Sequence, residues 1–264
     1  MLKGAMHLHS TYSDGEFTLR ELREIFLAES CSFACVTDHA ECFEEVSIRR
    51  YVEECKSLSD DKFVFLAGLE YSCEFNMHIL GYGATQLTPT RDPQAVIRHI
   101  SSQSALPVIA HPKDDSFAWI ETFETLPLGI EVWNTKYDGR YAPRPGTFAL
   151  LQRLRQRHPM TLAFFGQDLH WKKQFRGMFV EVDCVPNTAE AILQALARGD
   201  YRAQKDEYRL PSSGVIDDKL LVEFGRGHDR SYRMWRFLKN GKHTLDRFGI
   251  KVPDSIKAQL RRIF

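Results

Sequence analysis

Residues 3–30 read KGAMHLHSTYSDGEFTLRELREIFLAES. The apolar run at the start carries His7 and His9 on alternate positions, and a strand sends alternate side chains to one face. Ser13-Asp14-Gly15 follows as a turn, where Asp is common for local backbone reasons. Apolar residues then recur at helical spacing at Leu19, Leu22, Ile25 and Phe26, with Thr18 and Glu21 spaced as a capping box. The stretch predicts strand, turn, helix, with two imidazoles and a carboxylate at the junction.

The rest of the chain repeats that order. SFACVTDH (32–39), KFVFLAGLEYS (62–72), MHILGYG (77–83), LPVIAHP (106–112), LGIEVWN (128–134), TLAFFGQDLH (161–170) and GMFVEVDC (177–184) read as strands. VSIRRYVEECKSL (46–58), DPQAVIRHISSQS (92–104), GTFALLQRLRQRH (146–158) and TAEAILQALARG (188–199) read as helices, the second entered near Asp92-Pro93 and the last stopped by Gly199. This alternation predicts a parallel sheet with helices outside, closed into a barrel or doubly wound. YRLPSSGVIDD (208–218) is the expected linker, giving a catalytic domain over 1–207 and a basic helical appendage over 208–264.

A chain of 264 residues with 43% hydrophobic content can bury a substantial core as one large α/β domain with a modest appendage. It has no apolar run long enough for a membrane span and no signal-peptide pattern, so a cytoplasmic protein without a membrane partner is expected. The six cysteines (31, 35, 42, 55, 73 and 184) form no C-x-x-C pair, which fits free thiols in a reducing compartment. Net charge is zero, yet residues 226–264 hold eleven Lys/Arg against three Asp/Glu, a net +8 that leaves −8 on the body. Such a tail is a candidate to attract a nucleic-acid backbone.

Six of the ten histidines fall at the ends of expected strands. They are His7 and His9, His39 in Thr37-Asp38-His39, His78, His111 in Ala110-His111-Pro112, and His170 in Asp168-Leu169-His170. Glu70 ends another strand, where an acid is costly to bury without a partner. In a parallel α/β sheet the strand ends form one rim, and ligands collect there.

The ordered set HLHS…SDG, TDH, GLE, HILGYG, AHP and GQDLH resembles the polymerase and histidinol phosphatase (PHP) family. The resemblance covers residues 4–170 directly, with the strand-helix pattern continuing to about 205. It implies a distorted (β/α)7 barrel, with three divalent ions (Mn, Fe or Zn) and hydrolysis of phosphate esters by a metal-bound hydroxide. Carried over by position, His7, His9, Glu70 and Asp168 would hold one ion. Glu70, His78 and His111 would hold a second, and Asp14, His39 and His170 the third. Glu70, Asp168 and His170 are the candidate catalytic residues. Lys113, Arg140 and Arg144, on loops of the same rim, are the candidates to grip the substrate phosphate, since a guanidinium fits phosphate bidentately.

The expected activity is therefore that of a hydrolase acting on a small phosphomonoester or a nucleotide. Only seven residues lie between Glu70 and His78, so the helical insertion of the nucleotide-phosphatase branch is missing at that point. An exonuclease that uses the basic tail is the alternative. A non-catalytic metal-stabilised module is a third reading, docking through Met234, Trp235, Phe237 and Leu238.

Overall fold

The computed structural model describes residues 1–138, 142–230 and 233. The elements run β1 (Leu2–Leu8), α1 (Leu19–Ala28), β2 (Phe33–His39), α2 (Glu45–Ser57), β3 (Val64–Ser72), β4 (His78–Tyr82), α3 (Pro93–Ser102) and β5 (Leu106–Ala110). They continue with α4 (Phe117–Ile120), β6 (Gly129–Asn134), α5 (Pro145–Arg157), β7 (Leu162–Gly166), β8 (Phe179–Val182), α6 (Ala189–Arg198), β9 (Tyr201–Lys205) and β10 (Tyr208–Pro211). Helix ends follow their sequence signals. Thr18 accepts from the Glu21 amide while Glu21 reaches back to the Thr18 amide, and Asp92 caps α3 ahead of Pro93. Gly199 ends α6 at φ +79°, a backbone region that favours glycine.

The strands form one ten-stranded sheet in the order β10-β9-β8-β1-β2-β3-β4-β5-β6-β7. The fold is mixed α/β, and the wholly parallel sheet expected from the sequence is corrected. β4 runs antiparallel to both β3 and β5, because only Cys73–Met77 separate it from β3. A parallel crossover needs a dozen or more residues, so this link can only be a hairpin. β8, β9 and β10 are antiparallel as well. Residues 208–211, at the start of the expected linker, are β10, paired with Arg202–Lys205.

The sheet curls until its ends almost meet. β8 pairs with the first half of β1, at Leu2–Gly4. Past that point the Gln167 amide donates to Met6 O, the Leu169 amide to His7 O and the His9 amide to Leu169 O, joining β1 to the segment after β7. On the two faces of the sheet Val36, Leu69, Leu80, Val108, Ile130, Phe164 and Val180 are all fully shielded from solvent. Trp133, also buried, meets Phe224 of the helical segment 218–230, which is thereby fixed to the body. Among the described residues no helix is long and apolar enough to cross a membrane, and the six cysteines are free. Met234, Trp235, Phe237, Leu238 and the rest of the tail to 264 lie outside the described residues, as does Arg140.

Candidate metal centre

One end of the curled sheet gathers all nine expected ligands. β1 delivers His7 and His9 through a bulge: Ala5 pairs with Ala34 but Leu8 with Val36, so β1 carries an extra residue there. His7 takes φ +58°, and the two rings end up 5.2 Å apart. Plain alternation is not what brings them together. Asp14 comes from the loop after β1, His39 and Glu70 from the paired ends of β2 and β3, and His111 from just past β5. His78 reaches the same rim from the start of β4, since that strand is reversed. Asp168 and His170 follow β7. His111 (φ +28°) and Asp168 (φ +51°) also occupy the left-handed region, which non-glycine residues avoid and which persists where the surroundings over-determine it.

These nine side chains fall into four overlapping groups whose ligand atoms lie within 4.8 Å of one another. The groups are His9, Asp14, His39 and His170; His7, His9 and Asp168; His7, Glu70 and His111; and His39, Glu70 and His78. Glu70 is at the centre. Its Oε1 lies 2.8 Å from His78 Nδ1 and 3.2 Å from His111 Nε2, and its Oε2 is 3.2 Å from His9 Nε2. Asp14, half exposed, closes one side, 3.2 Å from His170 Nε2.

The donor set suits a metal. His9 is fully buried, yet neither of its ring nitrogens makes a hydrogen bond. A buried polar group without a partner is costly, and a cation taking the lone pair removes that cost. Burial pushes His9 down to about 4, so its ring is neutral and able to ligate. Imidazoles mixed with carboxylates suit Mn, Fe or Zn.

Burial would also depress His7, but Glu131, Asp168 and Glu70 outweigh it and hold His7 well above the ordinary imidazole value. Burial opposes charge on Glu70 and Asp168, and the surrounding histidines, His7 first, nevertheless hold both carboxyls below the usual range.

Glu131 was not legible as a site residue. Fully buried on β6, it accepts from His7 Nδ1 at 2.8 Å, from the His111 amide at 2.9 Å and from Asn134 Nδ2 at 2.9 Å. It therefore fixes two expected ligands at once, leaving His7 Nε2 to face the cluster. Its one signal was an acid inside the apolar run GIEVWN. Gly166 makes room for it, since a Cβ there would collide with the Glu131 carboxylate and with His7 Cβ. Asp38 was likewise missed. It accepts from the Ser10 amide (2.7 Å), Ser10 Oγ (2.8 Å) and Ser13 Oγ (2.6 Å), anchoring the loop that carries Asp14.

Of the expected phosphate-binding residues, Lys113 is exposed on the turn after Pro112. Arg144 is engaged elsewhere: Nε donates to Asp138 at 2.5 Å, Nη1 to Asp114 at 3.2 Å and Nη2 to Pro112 O at 2.8 Å. It ties the turn after β5 to the loop after β6. The Tyr137 ring lies 4.4 Å from that of His111, tilted 40° to it, with half its surface in solvent.

No known protein-family profile matches the chain. A two-domain protein from Bacteroides vulgatus containing a predicted PHP-like metal-dependent phosphoesterase is similar in structure, with TM-score 0.57 and 17% identity over 84% of this chain and 68% of that one. An amidohydrolase from Chromobacterium violaceum has TM-score 0.50 and 16% identity, covering 76% of this chain and 97% of its own. In sequence, the DNA polymerase/3'-5' exonuclease PolX of Bacillus subtilis is 40% identical over 40 residues, 15% of this chain. The match spans only 7% of that polymerase's length. The fold of this chain is PHP-like.

Proposed function

We propose that this chain is a PHP-type hydrolase, a metal-dependent phosphoesterase whose barrel-like sheet is a distorted (β/α)7 barrel and whose nine rim side chains hold three divalent ions. The observation that carries the reading is His9, buried with no hydrogen bond to either ring nitrogen amid eight other ligand-type side chains. Divalent ions bound there would supply Lewis acidity, making water a nucleophile near neutral pH and offsetting charge on the phosphoryl oxygens.

The chain's own residues do the positioning. Glu70 touches His78, His111 and His9, so it fixes the spacing across the cluster. Glu131 and Asn134 hold His7 and Asp168 in place before any substrate arrives, and such preorganisation costs nothing at the moment of reaction. Tyr137, half exposed above His111, offers a ring face beside the cluster, which favours a substrate with a planar group such as a nucleotide.

The test is phosphate release by Mn-reconstituted protein on histidinol phosphate, nucleoside mono- and bisphosphates, a sugar phosphate and a 5′-phosphorylated oligonucleotide. Turnover of a small phosphomonoester that vanishes in His7→Ala and Asp168→Ala is the expected result. An exonuclease is the second reading, favoured by the partial likeness to the Bacillus subtilis polymerase/exonuclease and by the net +8 tail. Its mark would be activity confined to the oligonucleotide and falling steeply with salt.

A further inference from the structure

The cluster contains a cation supplied by the chain itself. Lys136 Nζ lies 2.9 Å from Asp168 Oδ1 and 3.3 and 3.4 Å from the two ring nitrogens of His170. The lysine stands on a braced turn: its amide donates to Asn134 Oδ1 at 3.1 Å, and the Asp138 amide donates to Asn134 O at 2.8 Å. Asp138 Oδ2 accepts from the Asn134 amide at 2.8 Å, which fixes the turn from its other end. Asn134 Nδ2 meanwhile donates to Asp168 Oδ2 at 3.3 Å, leaving Oδ1 to the ammonium. The side chain is about three-quarters shielded from solvent, with a relative exposure of 23%.

We propose that Lys136 is a built-in cation between Asp168 and His170, one that competes with divalent ions for both side chains, and that it thereby sets how tightly the groups they belong to hold their ions. The inference rests on the metal-centre reading above and goes beyond it. His170 Nδ1 donates to Asp168 O at 3.1 Å, so the ring's one lone pair is on Nε2; an ammonium is a donor only, and beside that nitrogen it competes with an ion for the lone pair. Asp168 Oδ1 faces the same competition. The two remaining groups, one of His7, Glu70 and His111 and the other of His39, Glu70 and His78, have no lysine or arginine within hydrogen-bond reach among the described residues. The groups that contain Asp168 or His170 are therefore weaker than the two centred on Glu70, and their occupancy follows metal supply more closely. The flexible four-carbon stem lets the ammonium leave without moving the turn.

The experiment is a Mn2+ titration of chelator-stripped full-length protein by calorimetry, with equilibrium dialysis for stoichiometry. Lys136→Met is expected to tighten the weakest class of Mn2+ binding by about tenfold or more, the scale of a lost charged hydrogen bond. Lys136→Arg, which keeps the charge, is expected to stay within about threefold of the wild type. Lys173→Met is the control. It removes an equal charge from a lysine that lies over Trp171, and a shift below about twofold is expected. Lys136→Gln serves if the Met variant does not fold. Equal or weaker Mn2+ binding in Lys136→Met, or equal tightening in Lys173→Met, would overturn the proposal while leaving the metal centre standing. Failure of every protein to bind Mn2+ would overturn both.

Discussion

His7 is pressed by Glu131, Asp168 and Glu70 while its backbone sits in the left-handed region, and both features bear on metal binding. With its pKa raised, the fold favours the protonated ring. An ion that takes Nε2 must expel that proton, so Mn2+ affinity is expected to rise as pH climbs from the ordinary imidazole value through the raised one, with proton release on binding. The sign for stability is opposite. A raised histidine pKa gives stability that is whole below the ordinary imidazole value and lost as pH climbs through the raised one, so the chelated protein is expected to melt at lower temperature toward alkaline pH. A melting temperature that climbs over that range instead would show that His7 is neutral in the fold. Glu131→Gln keeps the shape and removes the charge behind His7; Mn2+ affinity is expected to fall about 10- to 100-fold, read by calorimetry. The candidate ligands were legible, because imidazoles and acids at strand ends are unusual in number and order. Glu131 was not, since in an apolar strand nothing in the residue types tells which face an acid takes.

Among the elements, α1, α3 and α6 followed the caps read from the sequence, whereas α4 has no side-chain cap and was not expected. Thr18→Ala removes the α1 capping box and is expected to cost about 1 kcal/mol in denaturant unfolding, with Mn2+ stoichiometry unchanged. A loss of metal with that small change would mean that α1 helps to set the position of Asp14. Strand existence was legible for β1 to β8, and strand direction was not. β4 is reversed because five residues separate it from β3, and that reversal alone brings His78 to the rim. The bulge at His7 was invisible because a period of two presumes a regular pleat. β9 and β10 were missed because they are short and hold few apolar residues: on β9 the buried positions are Tyr201, Ala203 and a lysine, Lys205.

At the scale of the whole molecule, closure of the sheet makes the site. His9 sits opposite Asp168 and His170 because the segment after β7 hydrogen-bonds to the end of β1, across the full length of the barrel sequence. No local pattern carries such a contact, and only the family resemblance pointed to it. The asymmetry of charge was legible from composition, but what the tail does was not, because charge identifies no partner. The central claim is that these nine side chains form a metal centre, and metal content tests it most directly. Protein stripped with a chelator and dialysed against Mn2+ is expected to take up about three ions per chain and to melt at higher temperature when loaded. Glu70→Ala, which removes the carboxylate at the middle of the cluster, is expected to lose most of that uptake. Wild-type protein that binds no Mn2+, Fe2+ or Zn2+ at micromolar concentration, or Glu70→Ala that binds as many ions as the wild type, would contradict the account.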